Sequence, residues 1–259
     1  MIRTALSINL NKIALLRNQR DVGYPSVVAM ARVAIDAGAA GITVHPRPDE
    51  RHIRPSDITD LAALIRGEYS GSVEFNIEGY PTEEFLSLVR NTVPDQVTLV
   101  PDEPGQATSD HGWPFPQSAA LLTPIVSKLH QQGMRVALFI DDEPEAARAA
   151  ARVGAQRVEL YTGPYHQACE RGQEKASLAR FAATAEAAHE AGLGINAGHD
   201  LNLDNLADFL AAVPYVEEVS IGHGITADAL EMGMEAAVKA YLRQIEIGNG
   251  RAEATGGDS

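Results

Sequence analysis

Short apolar segments alternate with longer amphipathic segments along the chain, and this pattern predicts alternating strands and helices. The short segments are rich in aliphatic residues, and MRVALFI at 134–140 is apolar almost throughout, as expected of a strand buried on both faces. We predict eight strands, at residues 5–10, 41–44, 73–77, 96–100, 134–140, 157–161, 193–197 and 216–221.

The longer segments are rich in alanine and often end at glycine, which is typical of helices. Ser56 with Asp57, and Thr82 with two following glutamates, provide the capping residues and acidic first turns expected where helices begin. We predict helices at 11–21, 26–37, from 56, from 82, at 117–132, at 143–153, in the alanine-rich segment ending at Gly192, from 203, and from 222 to about 246.

Eight strand–helix units imply parallel strands, because each helix crosses over to the next strand. A closed (β/α)8 barrel fits this number better than an open doubly wound sheet, which more often has about five or six strands. We expect one α/β domain over residues 1–246, a (β/α)8 TIM barrel with extra short helices. A polar tail at 247–259 is expected to be disordered.

The overall composition narrows the choice of partners. The chain has 259 residues, 45% of them hydrophobic and 22% charged, as in soluble globular proteins. Its net charge of −14 argues against nucleic acid and anionic membranes as partners. A local basic cluster is therefore informative, because a phosphorylated substrate would need one to overcome the overall repulsion.

Other features concern the compartment and cofactors. Cys169 is the single cysteine, which excludes a disulfide within the chain and fits a reducing cytoplasm. We find no Cys/His spacing typical of a metal site and no apolar run near the roughly 18 residues that span a membrane. Asn9 and Asn11 interrupt the segment where a signal peptide would be apolar.

A basic segment follows the second predicted strand and carries His45, Arg47, Arg51 and His52 within eight positions. Two prolines in the segment forbid a helix. Two imidazoles and two guanidiniums at the carboxyl end of a strand can bind an anion and transfer protons. A solvated basic loop explains each residue taken singly, so the four together leave both interpretations open.

Polar and titratable side chains lie along or just after nearly every predicted strand. In a (β/α)8 barrel the carboxyl ends of the strands meet on one face, where the active site lies. We therefore expect these side chains to converge on one site. They are Asn9, Asn11, His45, Arg47, Glu74, Asn76, Glu78, Asp102, Glu103, Thr108, Glu159, Thr162, Asn196, His199 and His223.

Two carboxylates interrupt otherwise apolar strands, where an unpaired charge costs several kcal/mol. Glu74 must therefore be paired or functional, and a catalytic role in the barrel lumen is favoured over a structural ion pair with an arginine. The same choice between function and an ion pair holds for Glu159. Its possible partner, Arg157, could reach it only across the alternation of the strand.

The ends of the last two strands, NAGHD and SIGHGI, are rich in glycine, so backbone N–H groups there can approach an anion. In barrels these loops commonly bind a phosphate at the N-terminus of a short helix. Gly222 and His223 fit that role.

A polar loop at 101–116 follows the fourth strand and contains four prolines. A compact domain seldom keeps such a loop without a function, so we predict that it closes over bound substrate and brings Thr108 to it. The alternative is a static loop in a contact between subunits, anchored by Trp113.

Eight segments together resemble the pyridoxine 5′-phosphate synthase family, over about residues 6–245. Their order and spacing make this resemblance far more specific than any single motif. The segments are SINLNKIALLRNQR, GITVHPRPDERHI, the strand with Glu74, LVPDEPGQATSDHGW, LFIDDEPE, VELYTGPY, NAGHDLNLDNL and SIGHGI.

The resemblance implies that 3-amino-2-oxopropyl phosphate condenses with 1-deoxy-D-xylulose 5-phosphate to give pyridoxine 5′-phosphate, phosphate and water. It implies no metal or organic cofactor and a homo-octamer. By resemblance, His45 and Glu74 accept protons, His199 donates one and Glu159 stabilises the transition state. The implied contacts are Asn9, Arg20, Asp200, Gly222 and His223 for the amino-ketone phosphate, and Arg47, His52 and Thr108 for the deoxyxylulose phosphate.

Two positions depart from the family pattern. Asn11-Lys12 stands where the family often carries Asp-His, and Asp200 stands where it carries glycine. Asn11 can still hydrogen-bond a hydroxyl and Lys12 can supply charge, so both remain candidate substrate-binding residues. Asp200 can serve only through its backbone N–H, because its carboxylate would repel a phosphate.

Two other functions remain open. An aldolase or isomerase acting on a sugar phosphate would share the Gly222 site, but it needs no acid–base groups on strands two, three and seven. Lys12 and Lys128 also lie off the strands where a Schiff-base lysine is expected. An inactive barrel kept for assembly or ligand sensing would have lost some of the four acid–base residues, and all are present.

Overall fold

The computed structural model describes residues 4–102, 106 and 109–256, with side chains up to residue 252. Its eight strands are all parallel and follow one another in chain order around a closed barrel. They are β1 (Ala5–Asn9), β2 (Gly41–Val44), β3 (Glu74–Gly79), β4 (Gln96–Leu99), β5 (Arg135–Ile140), β6 (Arg157–Tyr161), β7 (Gly194–His199) and β8 (Val216–Ile221).

The barrel closes because β1 pairs with strands on both of its sides. Ser7 lies beside Gly41 of β2, and Ala5 lies beside Glu218 of β8. The predicted (β/α)8 barrel is therefore confirmed, and the open doubly wound sheet is excluded.

Helices follow every strand and form the outer layer. They are α1 (Asn11–Asn18), α2 (Val27–Asp36), α3 (Pro55–Glu68), α4 (Glu83–Thr92), α5 (Phe115–Gln131), α6 (Pro144–Val153), α7 (Gly163–Glu170), α8 (Glu174–Glu190), α9 (Leu206–Ala212), α10 (His223–Met232) and α11 (Met234–Gly256). The short α1, α7 and α10 follow β1, β6 and β8 in addition to the eight outer helices. Extra short helices were expected, but the segment TGPYHQACERG that contains α7 was predicted to be a loop. None of the described helices is long and apolar enough to cross a membrane.

Capping groups define where several helices begin. The hydroxyls of Ser26 and Thr82 accept hydrogen bonds from backbone N–H groups of the first turns of α2 and α4, at 3.2 and 3.1 Å. The α3 helix begins at Pro55, one residue before the predicted Ser56. There the Asp57 carboxylate accepts the Arg54 N–H at 2.8 Å.

Several boundaries differ from the prediction in ways that matter for the site. β3 extends to Gly79 and β7 extends to His199, so each continues two residues further towards the carboxyl face than predicted. The last predicted helix is two helices separated at Gly233, whose φ of +83° suits glycine. The second of these, α11, continues beyond the predicted end near 246 to Gly256.

Apolar side chains fill the space between the barrel and the helices, whereas the lumen is polar. Its middle layer is a ring of hydrogen bonds that joins Ser7 to Thr43 at 2.8 Å and Thr98 to Asn76 at 3.1 Å. The layer at the amino ends of the strands contains Arg135, which pairs with Glu74. Side chains therefore fill the lumen at its middle and at the amino ends of the strands, and the free space lies towards the carboxyl ends.

Candidate active site

A cavity of about 370 Å³ lies at the carboxyl ends of the strands. Most of the predicted site residues line it, so the expected convergence of strand ends is observed. The lining residues are Asn9, Asn11, Lys12, Leu15, His45, Arg47, Arg51, His52, Glu78, Val100, Ser109, Phe139, Glu159, His199, Asp200, Ser220, Gly222 and His223.

Two asparagines after β1 fix the backbone and side chains on one wall. Asn11 accepts the His45 backbone N–H on its side-chain oxygen at 2.9 Å, and its own N–H donates to Asn9 Oδ1 at 3.0 Å. Asn9 Nδ2 in turn donates to Glu78 Oε2 at 3.3 Å. These contacts connect β1 with β2 and β3, and they hold His45 and Glu78 at the same edge of the cavity.

His45 and His52 form a pair of buried imidazoles with ring centroids 6.2 Å apart. Burial, followed by the positive charge of Arg47, lowers the pKa of His45 well below its usual value. The same two causes lower the pKa of His52 to about 4. His52 Nδ1 accepts the Ile53 N–H at 2.9 Å, which leaves its other nitrogen as the N–H. Both rings are therefore neutral at neutral pH.

Two buried carboxyl groups face these imidazoles. Burial, and then the charge of Glu159, raise the pKa of Glu78 well above its usual value. Burial raises the pKa of Glu159 to about 7, although His199 and the Thr98 hydroxyl act in the opposite direction. Glu78 Oε2 lies 3.9 Å from His45 Nδ1, which is close enough to influence its protonation but too long for a hydrogen bond.

Glu159 fits into the lumen because Gly198 of β7, two residues beyond its register partner Asn196, has no side chain. A Cβ at Gly198 would lie 2.6 Å from Glu159 Oε1 and 2.8 Å from the Ser220 carbonyl oxygen. Glu159 Oε2 is buried and has no hydrogen-bond partner among the described residues. An unsatisfied carboxyl oxygen at the cavity wall is available to a substrate.

His199 occupies the end of β7 in an unusual backbone conformation, with φ of +92°. Its ring packs edge-on against Tyr161 at a centroid distance of 5.5 Å. Its Nδ1 lies 3.0 Å from the carboxylate of Asp200. Non-glycine residues at positive φ are strained, and such strain is common where a side chain must point into a site.

The predicted phosphate contact through the Asp200 N–H differs from what is observed. That N–H donates to Thr162 Oγ1 at 3.3 Å, and its carbonyl accepts Asn205 Nδ2 at 3.2 Å. The side chain of Asp200 lies in the cavity wall and points to His199.

Two groups of candidate anion-binding residues line the cavity. On one side Gly222 precedes α10, and His223 is the first residue of that helix. A Cβ at Gly222 would approach the Asn9 side chain to 3.1 Å, so glycine keeps this turn close to β1. On the other side Lys12, Arg47 and Arg51 line the wall, as predicted for an anion site.

Arg47 connects the loops after β2 and β4. It pairs with Asp102, and its Nη1 donates to the Gln106 carbonyl at 2.8 Å. Ser109 Oγ donates to the same Asp102 carboxylate at 2.8 Å. Thr108 lies outside the described residues, so its predicted contact with substrate and the closure of its loop stay predictions.

Trp113 belongs to the interior of the subunit. It is 6% exposed, donates its ring N–H to the Leu99 carbonyl at 2.8 Å and packs against Tyr80. The alternative in which Trp113 anchors the loop in a contact between subunits is therefore wrong.

The placement of Glu74 corrects the sequence prediction. Glu74 is the first residue of β3 and pairs with Arg135 in the layer at the amino ends of the strands. It is not among the described residues that line the cavity, so the structural ion pair with an arginine is the correct interpretation. Glu78 has the same side-chain parity and lies four residues closer to the carboxyl face.

Arg20 also lies away from the cavity. Its side chain is exposed, and α1 directs its first residues, including Lys12, towards the site before ending at Asn18. Eight residues of chain separate Lys12 from Arg20, about 12 Å if helical. Arg20 is not among the described residues that line the cavity, and its implied contact with a substrate phosphate stays a prediction.

Several lining residues were given no role in the predicted site. Glu78 was among the side chains expected to converge but was not chosen over Glu74, although Glu74, Asn76 and Glu78 share one face of β3 and only the last lies at its carboxyl end. Arg51 belonged to the basic segment but received no role. Val100 and Phe139 carried no sequence signal, because apolar residues at strand ends resemble ordinary core.

A closed parallel barrel with titratable side chains gathered at the carboxyl ends of its strands is the architecture of a (β/α)8-barrel enzyme. The chain belongs to the family of the pyridoxal phosphate biosynthesis protein PdxJ, whose sequence model matches residues 6–247.

Curated relatives support the same assignment. The chain is 56% identical over 241 residues to pyridoxine 5′-phosphate synthase of Mesorhizobium japonicum, covering 92% of this chain and 97% of that protein. It is 55% identical over 250 residues to pyridoxine 5′-phosphate synthase of Albidiferax ferrireducens, covering 95% and 98%.

Solved structures of other barrels share the fold at low sequence identity. The tryptophan synthase alpha subunit of Legionella pneumophila aligns with a TM-score of 0.62 and 14% identity, over 94% of this chain and 93% of that one. Phosphoribosylanthranilate isomerase of Thermotoga maritima aligns with a TM-score of 0.56 and 14% identity, over 94% and 98%. These matches concern the fold alone.

Proposed function

We propose that this enzyme condenses 3-amino-2-oxopropyl phosphate with 1-deoxy-D-xylulose 5-phosphate to pyridoxine 5′-phosphate, releasing phosphate and water. The single observation that carries the proposal is the cavity itself, whose lining combines imidazoles and buried carboxyl groups with three cationic side chains and the glycine turn before α10. The family membership and the names of the relatives support it.

The chemistry requires several proton transfers. The amine must attack a ketone, after which protons leave carbon and water leaves the adduct, and each step needs an acid or base effective near neutral pH. His45 is neutral, so it can accept a proton without first losing one. We assign it the role of a general base.

Glu78 takes the second role that the resemblance placed on Glu74. It lies 3.9 Å from His45 Nδ1 and is held by Asn9. Its raised pKa keeps Glu78 protonated at first. Once a stronger base forms on the reacting molecule, Glu78 can donate its proton there, and as a carboxylate it can then accept a proton. Of the two glutamates on β3, Glu78 therefore fits the role.

Glu159 and His199 both line the cavity and are close enough to interact electrostatically. His199 lines the wall beside the glycine turn and is assigned the role of proton donor. Glu159 influences His199 electrostatically and has a buried oxygen without a partner among the described atoms. A carboxylate formed there would stabilise positive charge that develops on an imine nitrogen.

The two groups of candidate anion-binding residues provide a separate site for each phosphate. Asn9, Gly222 and His223 provide polar and N–H-rich contacts for the amino-ketone phosphate at the beginning of α10. Arg47 and His52, supplemented by Asn11, Lys12 and Arg51, form the opposite wall for the deoxyxylulose phosphate. Two phosphates held apart bring the amine and ketone together between them.

The function is tested by incubating the protein with both phosphates and following the absorbance of the pyridinol product, with reactions lacking either substrate as controls. Product formation only when both are present is expected. Absence of product with a folded, monodisperse protein would contradict the proposal.

We also propose that the enzyme is a homo-oligomer, as the resemblance implies an octamer. Leu16 of α1 is 48% exposed, and Leu230 and Met232 of α10 are 75% and 44% exposed. These two helices contact each other, so their exposed apolar side chains belong to one region of the surface. Another copy of the chain would remove this apolar surface from water.

A further inference from the structure

Three apolar side chains form a cluster inside the barrel that is separate from the main core around it. The members of this lumen cluster are Val100, directly after β4, Phe139 on β5 and Tyr161 on β6. The rings of Phe139 and Tyr161 pack with their centroids 5.6 Å apart. Val100 and Phe139 line the cavity, so the cluster forms part of its wall.

Strand alternation and register place the lumen cluster beside Glu159. Leu138 and Ile140, on either side of Phe139, belong to the main core outside the barrel, so Phe139 points inward. Phe139 is the register partner of Glu159 on β6, and both side chains line the same cavity. The apolar wall therefore borders the Glu159 carboxyl group.

The lumen cluster is an apolar surface in a cavity whose lining is otherwise mainly polar or charged. Leu15 on α1 is the one other large apolar side chain among the described lining residues. Val100 and Phe139 have no polar side-chain atom. The Tyr161 hydroxyl lies at the far end of its ring, beside Gly163. A polar group placed against this surface loses water without gaining a side-chain hydrogen bond from the cluster, so the surface favours an apolar part of a ligand.

The proposed substrates offer one group that fits this surface. Of the two, only 1-deoxy-D-xylulose 5-phosphate carries a methyl group, and that methyl group is bonded to its ketone carbon. The amine of the other substrate attacks the same carbon, so the methyl group and the imine nitrogen are attached to one carbon atom. Glu159 is assigned to the charge on that nitrogen, and the lumen cluster borders Glu159. The methyl group therefore lies where the cavity wall is apolar.

We propose that Val100 and Phe139 are specificity-determining residues that contact the methyl group of 1-deoxy-D-xylulose 5-phosphate. They discriminate against a ketose phosphate with a hydroxymethyl group at this place, such as D-xylulose 5-phosphate, because its additional hydroxyl would be buried against apolar side chains. This inference rests on the proposed function, since it identifies which part of the proposed substrate the lumen cluster recognises.

The test compares kcat/KM for 1-deoxy-D-xylulose 5-phosphate and D-xylulose 5-phosphate in the wild type and in Val100→Thr. Threonine keeps the shape of valine and adds a hydroxyl that can bond the additional hydroxyl of the substrate. We expect the wild type to prefer the deoxy compound by roughly 10–100-fold and Val100→Thr to lower that preference about tenfold. KM for the amino-ketone phosphate should stay unchanged.

Phe139→Leu is a second variant, which leaves the strand apolar but removes part of the wall. We expect it to raise KM for the deoxy compound several-fold and to lower the preference as well. Val22→Thr is the matched control, because Val22 is 61% exposed, and it should keep the wild-type preference. A preference that is lost in Leu15→Ala but kept in Val100→Thr and Phe139→Leu would place the methyl group against α1 and overturn the inference.

A measurement independent of turnover compares the binding of pyridoxine 5′-phosphate with that of its analogue lacking the ring methyl group, by titration calorimetry. We expect the wild type to bind the methylated compound about fourfold more tightly, and this ratio to shrink in Phe139→Leu. Equal affinities in the wild type, or a ratio and a substrate preference that both variants leave unchanged, would overturn the inference. A wild type that makes no product from either ketose phosphate would instead overturn the proposed function, and the ratio of affinities would still test the methyl site.

Discussion

Buried carboxyl groups give the lumen its chemistry at the scale of single residues. Glu78, Glu159 and Glu218 are each less than 9% exposed, and burial is the largest cause of the raised pKa in all three. Such groups favour their protonated form inside the barrel and their ionised form in the unfolded chain. They therefore lower stability at neutral pH, and two of them, Glu78 and Glu159, line the cavity and are the acids of the proposed function.

For Glu159, the loss of stability that accompanies a raised carboxyl pKa can be measured. Burial raises its pKa from 4.5 to about 7, so the folded state holds a proton that the unfolded state loses as pH rises between these values. Stability contributed by that proton is present below pH 4.5 and is lost towards pH 7. We expect the free energy of unfolding of Glu159→Gln, relative to wild type, to rise by roughly 3 kcal/mol between pH 4.5 and 8.

Denaturant unfolding at several pH values measures this difference, with Glu190→Gln as a control because Glu190 is exposed on the surface. The same variant should lose turnover. A constant difference across the pH range would mean that Glu159 is ionised throughout.

Also at the scale of single residues, the sequence predicted which types of side chain line the cavity, but it did not always identify the particular residue. The polar residues along and after the predicted strands correctly indicated that His45, Glu159 and His199 line one cavity. Strand alternation could not separate Glu74 from Glu78, because both have the same parity and β3 was expected to end at residue 77. The partner of Glu74, Arg135, lies 61 residues away, and such a pairing has no local signal.

At the scale of elements, close packing between neighbouring strands limits the side chains that fit and holds Glu159 in position. β6 and β7 approach so closely at Gly198 that a methyl group would collide with the carboxyl oxygen of Glu159 and the carbonyl of Ser220. We expect Gly198→Ala to lower the free energy of unfolding by about 1–3 kcal/mol and to reduce kcat by at least tenfold, because Glu159 must move.

Gly67→Ala is the matched control, because a Cβ there meets nothing within 4 Å and the residue lies in α3. It should raise stability by roughly 0.5–1 kcal/mol without affecting turnover. Thermal melts and steady-state assays measure both effects. Full activity in Gly198→Ala would show that the position of Glu159 is not critical.

Element order was predictable, whereas several element ends were not. Alternating apolar and amphipathic segments gave all eight strands in the right order. The short α7 was expected to be a loop, because TGPYHQACERG has little helical periodicity and depends on packing by Tyr165 for its position. Tertiary contacts of this kind override local propensity.

The whole molecule combines a strongly negative chain with a local basic site. The net charge of −14 keeps copies soluble, so association needs apolar contact to offset electrostatic repulsion. The exposed side chains on α1 and α10 can supply it, and α1 also carries Lys12 into the cavity. In the proposed oligomer, α1 therefore belongs both to the contact between copies and to the cavity wall.

We expect light scattering to give an oligomer at micromolar concentration and a smaller species for Leu230→Lys. Leu121→Lys is the control, since Leu121 is also exposed, at 42%, but lies on α5. A monomeric wild type would contradict the proposed assembly. Equal masses for all three proteins, if oligomeric, would place the interface elsewhere.

The central claim is that the acid–base site lies at the carboxyl ends of the strands and that Glu78, not Glu74, belongs to it. The most direct measurement is product formation from both phosphates by Glu78→Gln and Glu74→Gln. We expect Glu78→Gln to lose at least 100-fold in kcat while folding normally, because a buried amide cannot exchange the proton. We expect Glu74→Gln to keep a kcat close to wild type and to lose only about 1 kcal/mol of stability from its pair with Arg135. The opposite result, an active Glu78→Gln and a folded but inactive Glu74→Gln, would contradict the account.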